Sequence, residues 1–205
     1  MAEDTEIYLI RHGQTVSNTL KRIQGQSDSP LTEFGVQQAH QVGKRLPQFK
    51  LNHLFTSPLG RAKTTAEIIG SYTGLKPSIE ERLQEISFGD VEGLTWKDVE
   101  NLHPERSIEW RDHHNHIALP GGESRTTAVD RASSAINEIS ERFKGEKIAV
   151  VTHGGILAAL FAWILKIPSG ERPQCLIENT SVNIIRIRDG AWKIKTWGDV
   201  SHLHS

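Results

Sequence analysis

The chain reads as an α/β layered protein built on a mostly parallel sheet with a C-terminal antiparallel hairpin. Three observations predict this. Strand-like and helix-like stretches alternate along the 205 residues, the pattern that yields a sheet layered with helices. Two apolar strand-like runs, Glu6 to Ile10 and Lys147 to Thr152, each pass directly into a short polar segment containing glycine. Near the end, Asp189-Gly190 separates two β-rich runs, a strong hairpin signal.

Taken in order, Glu6 to Ile10 is the expected first strand. Val36, Ala39, Val42 and Leu46 then recur at helical spacing behind Thr32, an expected N-cap. His53 to Thr56 reads as a short second strand. Ser57-Pro58 offers a cap and a proline at the first helical position, with Leu59, Ala62, Ala66 and Ile69 as the apolar stripe and Gly74 past the end. Leu94 to Gly122 is less regular, carries Pro104, Pro120 and several histidines, and is the expected lid-like insertion. A later helix shows Val129, Ala132, Ile136, Ile139 and Phe143. Lys147 to Thr152 is the best strand, followed by His153-Gly154-Gly155 and an apolar helix to about Leu165. Ser181 to Arg188 and Ala191 to Thr196 form the hairpin.

Composition narrows the function classes. With 37% hydrophobic and 24% charged residues, the chain is that of an ordinary globular protein, and its length suits a single domain, residues 1–205. A net charge of −1 excludes blanket attraction to nucleic acid or to an anionic membrane, though not a local Arg/His cluster. The lone Cys175 excludes an internal disulfide, and there is no Cys/His zinc spacing. No basic, apolar leader opens the chain, and the longest apolar run, Ile156 to Leu165, is about half of the roughly 20 residues a membrane span needs. A soluble, reduced, cytoplasmic protein is expected, with no nucleic-acid or membrane partner; a homodimer is left open.

The chemistry begins at Arg11-His12-Gly13. In parallel α/β sheets, ligands bind beyond the carboxyl ends of strands. There an Arg offers a planar fork for phosphate oxygens, a His a neutral nucleophile, and a Gly close backbone approach. Arg61 falls in the first turn of the second helix, where the dipole also favours an anion. His153-Gly154 repeats the arrangement after the strongest strand. Each feature alone is compatible with an exposed strand end, a solvated charge or a hydrogen-bonded core histidine. Three at three strand ends are a much rarer coincidence.

These residues resemble the histidine phosphatase superfamily, in the branch of cofactor-dependent phosphoglycerate mutases and related small phosphatases. The resemblance covers R-H-G-Q-T-V-S-N from Arg11 to Asn18 and I-Q-G-Q-S-D-S-P-L-T-E-F-G from Ile23 to Gly35. It continues through T-S-P-L-G-R-A at Thr56 to Ala62, L-Q-E-I-S-F-G-D-V-E-G at Leu83 to Gly93 and V-V-T-H-G-G at Val150 to Gly155. It implies a three-layer α/β/α sandwich of the phosphoglycerate mutase-like type. It also implies that His12 is the nucleophile, that Arg11, Arg61 and His153 cage the phosphoryl oxygens, and that Glu85 is the proton donor. Asn18, Gln24, Gly25 and Gly154 would line the phosphate pocket. His12 should donate its other ring N–H to a carbonyl, fixing the tautomer. The cage takes the place of a metal, so no metal and no cofactor are expected.

The implied activity is hydrolysis of a small phosphorylated metabolite (a sugar phosphate, a phosphoglycerate derivative or phosphoserine) through a phosphohistidine. The alternatives are a phosphoglycerate mutase using the same intermediate, a phosphoprotein phosphatase, and a non-catalytic phosphate-binding regulator. His113, His114 and His116 lack the spacing of a metal motif and read as a solvated loop. Glu178 to Ser181 could help organise the His153 side or simply cap and turn before the strand, and is read as structural; the five tryptophans read as core or half-buried anchors, and His202 and His204 as without a catalytic part.

Overall fold

The computed structural model describes residues 4–105, 107–108, 117–168, 171 and 175–204. Among them runs a six-stranded mixed sheet: β1 (Thr5–Arg11), β2 (His53–Thr56), β3 (Ser78–Ile79), β4 (Lys147–Thr152), β5 (Val182–Arg188) and β6 (Ala191–Asp199). The spatial order is β3-β2-β4-β1-β5-β6. β3, β2, β4 and β1 are mutually parallel, while β5 runs antiparallel to both β1 and β6.

Alternation along β1 splits the core into two layers. Ile7 and Leu9, with Ile148 and Val150 of β4, face α5 (Arg125–Arg142) and α6 (Gly154–Ile164). Tyr8 and Ile10, with Ala149 and Val151, face α2 (Glu33–Arg45) and α3 (Gly60–Thr73). Both faces of the central strands are therefore covered, which is why β1 and β4 read as nearly continuous apolar runs. Helices on both faces of one sheet make the expected three-layer α/β/α sandwich.

The elements follow local signals closely. Thr32 caps α2, its side chain accepting from the Gly35 N–H at 2.9 Å. Gly74 ends α3 in the left-handed conformation, φ 73°. Asp189 and Gly190 both take positive φ, 48° and 75°, as a two-residue hairpin turn requires. Three features differ from expectation. The cap of α3 is Leu59 rather than Ser57, because the Ser57 hydroxyl is turned toward His153. The two-residue β3 and the short helices α1 (Val16–Thr19) and α4 (Trp96–Leu102) carry too little pattern to be read in advance. Among the tryptophans, Trp96 and Trp163 are exposed rather than core anchors.

Part of the interval expected as a lid packs tightly. Val99 of α4 and Leu119 join Ile23 and Val91 in a small separate core. His113, His114 and His116 lie outside the described residues.

Candidate active site

Parallel register brings three strand ends to one sheet edge: Arg11 lies opposite Thr152, and Thr56 opposite Val151. His12, Ser57 and His153 therefore emerge side by side. The His12 N–H donates to the Thr152 carbonyl at 3.0 Å. Its ring is almost fully buried, and Nδ1 stands 2.7 Å from the Gly13 carbonyl. A carbonyl only accepts, so Nδ1 carries the proton and Nε2 keeps a lone pair. Burial first, then the charges of Arg11 and Arg61, push the His12 pKa well below the ordinary histidine value. The ring is held neutral, the form in which a nitrogen can attack.

Around this ring stand three N–H groups without a protein partner. Arg61, nearly inaccessible in the first turn of α3, spends Nη1 on the Ser27 carbonyl (2.8 Å) and Nη2 on the Gly25 carbonyl (2.6 Å). Arg11 spends Nη1 on the Ile177 carbonyl at 2.7 Å. The buried Nε of each is unpaired. His153 is fully buried, with its ring centroid 5.2 Å from that of His12. Its Nε2 lies 2.7 Å from the Ser57 hydroxyl, whose oxygen already accepts from the Leu59 N–H at 3.3 Å. Nε2 is the acceptor within reach of the hydroxyl proton, which places the ring proton on Nδ1, unpaired in the protein. Burial and the Arg61 charge keep this ring neutral as well. Unpaired buried donors are rare in folded proteins, and three beside one nucleophilic nitrogen describe an anion cage.

Glu85 sits at the N-terminus of α6. Its Oε1 accepts from the N–H groups of Ile86 (2.9 Å) and Ile156 (3.0 Å), and its Oε2 from that of Gly155 (2.9 Å). Oε2 therefore retains acceptor capacity that Oε1 has used. Arg131 of α5 holds the loop before it: Nη1 donates to the carbonyls of Arg82 and Gln84, and Nη2 to that of Glu85 at 2.9 Å and to the Glu123 carboxylate. Across the cleft, Glu92 ties down the loop around Gly25. It accepts from the N–H groups of Gln26, Ser27 and Phe88 and from the Ser27 hydroxyl. Gly25 has a φ of 52°, and a Cβ there would strike the Glu92 carboxylate.

Eight of the nine residues singled out in the sequence (Arg11, His12, Asn18, Gln24, Gly25, Arg61, Glu85 and Gly154) line one cleft of about 320 Å³. His153 lies directly behind it. Asn18 spends its side-chain oxygen on the Thr15 N–H, 3.1 Å, and on the Asn179 amide, 3.3 Å. The Gln24 side-chain oxygen is buried and unpaired. The outer wall holds Arg22, Phe88, Trp96, Ala158, Cys175 and Ile177. Sequence reasoning missed Ser57, Glu92, Arg131, Gly155 and Asn179. The Glu178 to Ser181 segment, expected to be merely structural or to serve the His153 side, instead reaches His12, whose carbonyl accepts from Asn179 Nδ2 at 2.9 Å. A second, more apolar cavity of about 710 Å³ lies between α5, α6 and the hairpin, away from this chemistry. Among the described residues, no cluster of His, Cys, Asp or Glu is arranged to hold a metal ion, and no helix is long and apolar enough to cross a membrane.

Known proteins give the chain its family. Residues 7–200 match the model of the histidine phosphatase superfamily, branch 1. The chain is 39% identical to phosphoglycerate mutase-like protein 4 of Arabidopsis thaliana, the match covering 97% of this chain and 86% of the relative. It is also 39% identical to a metal-independent phosphoserine phosphatase of the same plant, over 100% of this chain and 85% of the relative. Among solved structures, the mycobacterial glucosyl-3-phosphoglycerate phosphatase complexed with VO3 superposes with a TM-score of 0.83. It is 32% identical, over 94% of this chain and 98% of that one.

Proposed function

The chain belongs to branch 1 of the histidine phosphatase superfamily, and from that premise we propose that it is a metal-independent phosphomonoesterase working through a phosphohistidine on His12. Its substrates are small phosphorylated metabolites of the phosphoserine, sugar phosphate or phosphoglycerate type. The observation that carries this reading is the neutral His12 ring with its free Nε2, surrounded by three buried and unpaired N–H groups. A phosphate monoester supplies an electrophilic phosphorus for the one and oxygens for the others.

In the first step the Nε2 lone pair attacks phosphorus while the P–O bond to the leaving group breaks in line. Arg11 Nε–H, Arg61 Nε–H and His153 Nδ1–H receive the equatorial oxygens and stabilise their charge. An alkoxide leaves poorly, so a proton from Glu85 passes to it, a contribution of about 10²–10⁴-fold. Oε2, which accepts only one backbone N–H, is the atom with room to carry that proton. In the second step Glu85 takes a proton from water, the water oxygen attacks the phosphohistidine, and orthophosphate leaves with His12 restored. The two donated N–H bonds from α6 keep the carboxyl aimed through both steps. The names of the relatives, a phosphoserine phosphatase and a sugar-phosphoglycerate phosphatase, support the substrate class, and the VO3 complex of the latter supports a phosphoryl-shaped cage.

The test is release of orthophosphate across a panel of phosphorylated metabolites, with and without EDTA. Expected are turnover indifferent to chelation, inhibition by vanadate, and an acid-labile, base-stable phosphoenzyme that His12→Ala abolishes. Undiminished activity in His12→Ala, or loss in EDTA reversed by a divalent cation, overturns the proposal.

A further inference from the structure

Thr180 is a β-branched residue in the left-handed region, φ 60°, and it is fully buried. Such a conformation is strained for threonine and persists only where surrounding structure enforces it. What it gains is specific. Its N–H donates to the carbonyls of Arg11 (3.0 Å) and His12 (3.3 Å), and the neighbouring Asn179 amide donates to the same His12 carbonyl. The peptide units on both sides of the nucleophile are thereby gripped from the β5 side, while Thr152 grips His12 from the β4 side.

What holds Thr180 comes from the far end of the chain. The Thr180 hydroxyl gives its only proton to the Asn179 carbonyl at 2.7 Å, so its contact with His202 Nε2 at 3.1 Å runs the other way, the ring donating. His202 Nδ1 is left to accept from Arg45 Nη1 at 3.4 Å, and Arg45 also pairs with Asp199. The ring is 5% exposed, and its burial and Arg45 keep it neutral. It sits in a short helical turn, Ser201–Leu203, just beyond β6.

We propose that His202 is a positioning residue: by donating to Thr180 it fixes the strained backbone that aims the His12 nucleophile. The proposal rests on the reading of His12 given above. Its reach falls mainly on the nucleophile, because Arg61 and His153 take their places from α3, Ser57 and β4, while Arg11, whose carbonyl Thr180 also grips, keeps its guanidinium on the Ile177 carbonyl. Loss of His202 should therefore slow phosphoryl transfer more than it weakens phosphate binding.

The experiment compares the parent with His202→Ala, His202→Gln, Thr180→Gly and the double variant Thr180→Gly/His202→Ala. Each is followed by single-turnover phosphoenzyme formation from p-nitrophenyl phosphate, well below its melting temperature, and by inhibition with orthophosphate. His202→Ala should slow phosphorylation about tenfold or more, since small misplacements of reacting groups are costly. The orthophosphate inhibition constant should stay within about threefold of the parent. His202→Gln can still donate an N–H and should recover most of the rate. Glycine takes positive φ without strain, so in the Thr180→Gly background the His202→Ala effect should shrink to about threefold or less.

Parent-like phosphorylation in His202→Ala overturns the proposal, as does an effect undiminished by Thr180→Gly or unrecovered by glutamine. If His202→Ala does not fold, the double variant must fold and phosphorylate at the Thr180→Gly rate; its failure is equally decisive. Hydrogen exchange at the Thr180 amide provides a readout independent of turnover, and it should quicken about tenfold or more in His202→Ala. A parent that forms no phosphohistidine would overturn the reading of His12, while this exchange result would still decide the role of His202.

Discussion

Gly155→Ala separates catalysis from stability at a single atom. A Cβ on Gly155 would lie 2.5 Å from Glu85 Oε1, 3.0 Å from Cδ and 3.2 Å from Oε2. The clash is with the whole carboxyl group, so no rotation about its last bond relieves it. Glu85 must withdraw from α6, surrendering the N–H bonds of Gly155 and Ile156. Charged hydrogen bonds are worth about 1.5–3 kcal/mol each, but Gly155 lines the cleft, where water replaces its lost partner, so the cost is mainly that of the buried Ile156 N–H, about 1–3 kcal/mol. Alanine in place of a helical glycine returns up to about 1 kcal/mol. The fold should therefore lose no more than about 3 kcal/mol, a fall in melting temperature of about 12 °C at most.

Turnover should respond very differently. Removal of the proton donor should reduce phosphoenzyme formation from an alkyl ester such as phosphoserine about 10²–10⁴-fold. p-Nitrophenolate leaves without a proton, so phosphoenzyme formation from p-nitrophenyl phosphate should fall by less than about tenfold. The assay is rapid-quench single turnover with both esters on the same preparation. Equal losses on the two esters, or parent-like transfer from the alkyl ester, would refute the reasoning that Glu85 acts as an acid held by α6.

Three further outcomes follow from the same contacts. Ser57→Ala leaves His153 Nε2 buried without its partner and frees the ring to change tautomer, so turnover should fall about tenfold or more and stability by about 1–3 kcal/mol; unchanged kcat sinks the tautomer assignment. His12, His153 and His202 are all buried neutral, with folded pKa values depressed (His202 to about 4 from 6.5), so the unfolded chain binds their protons first. Their stabilisation is present above about pH 6.5 and is lost as pH falls from there, each proton contributing about 1.4 kcal/mol per pH unit; urea midpoints that stay flat between pH 7 and 5 would contradict it. With 3-phosphoglycerate and a trace of 2,3-bisphosphoglycerate, orthophosphate should be released rather than 2-phosphoglycerate formed, because Arg22 is the one arginine of the described cleft walls left over from the cage, and it donates to the Gly93 carbonyl at 2.6 Å. Efficient 2-phosphoglycerate formation without orthophosphate release would favour the mutase.

The legible part of this protein is the part whose signal is local. β1, β2, β4 and the Asp189-Gly190 hairpin are written as apolar runs and turn chemistry within a few residues, and each appears close to its expected limits, except that β6 runs three residues past Thr196 to Asp199. His12, Arg61 and His153 were legible for a related reason: the two histidines each follow a strand immediately, Arg61 lies in the first turn of the helix after a third, and a parallel sheet must bring such ends to one edge. Ser57 shows where this stops. Its position before a proline reads as a cap, yet its hydroxyl is drawn to a histidine 96 residues away. Arg131 and Glu92, respectively 46 residues from Glu85 and 66 from Gln26, carry no local mark of their service to the site.

The same distinction explains why the proposed catalytic groups were legible and their supports were not. A nucleophile, a cage arginine and a proton donor must be of particular residue types, so identity alone narrows their roles. A supporting residue needs only one hydrogen-bonding atom in the right place, and many residue types can supply it. His202 is the sharpest case. As a lone histidine near the terminus it resembles any solvated side chain, and only the left-handed backbone of Thr180, which no sequence pattern announces, gives its ring something to hold. At Thr180 strain marks the support, as residue type elsewhere marks the chemistry.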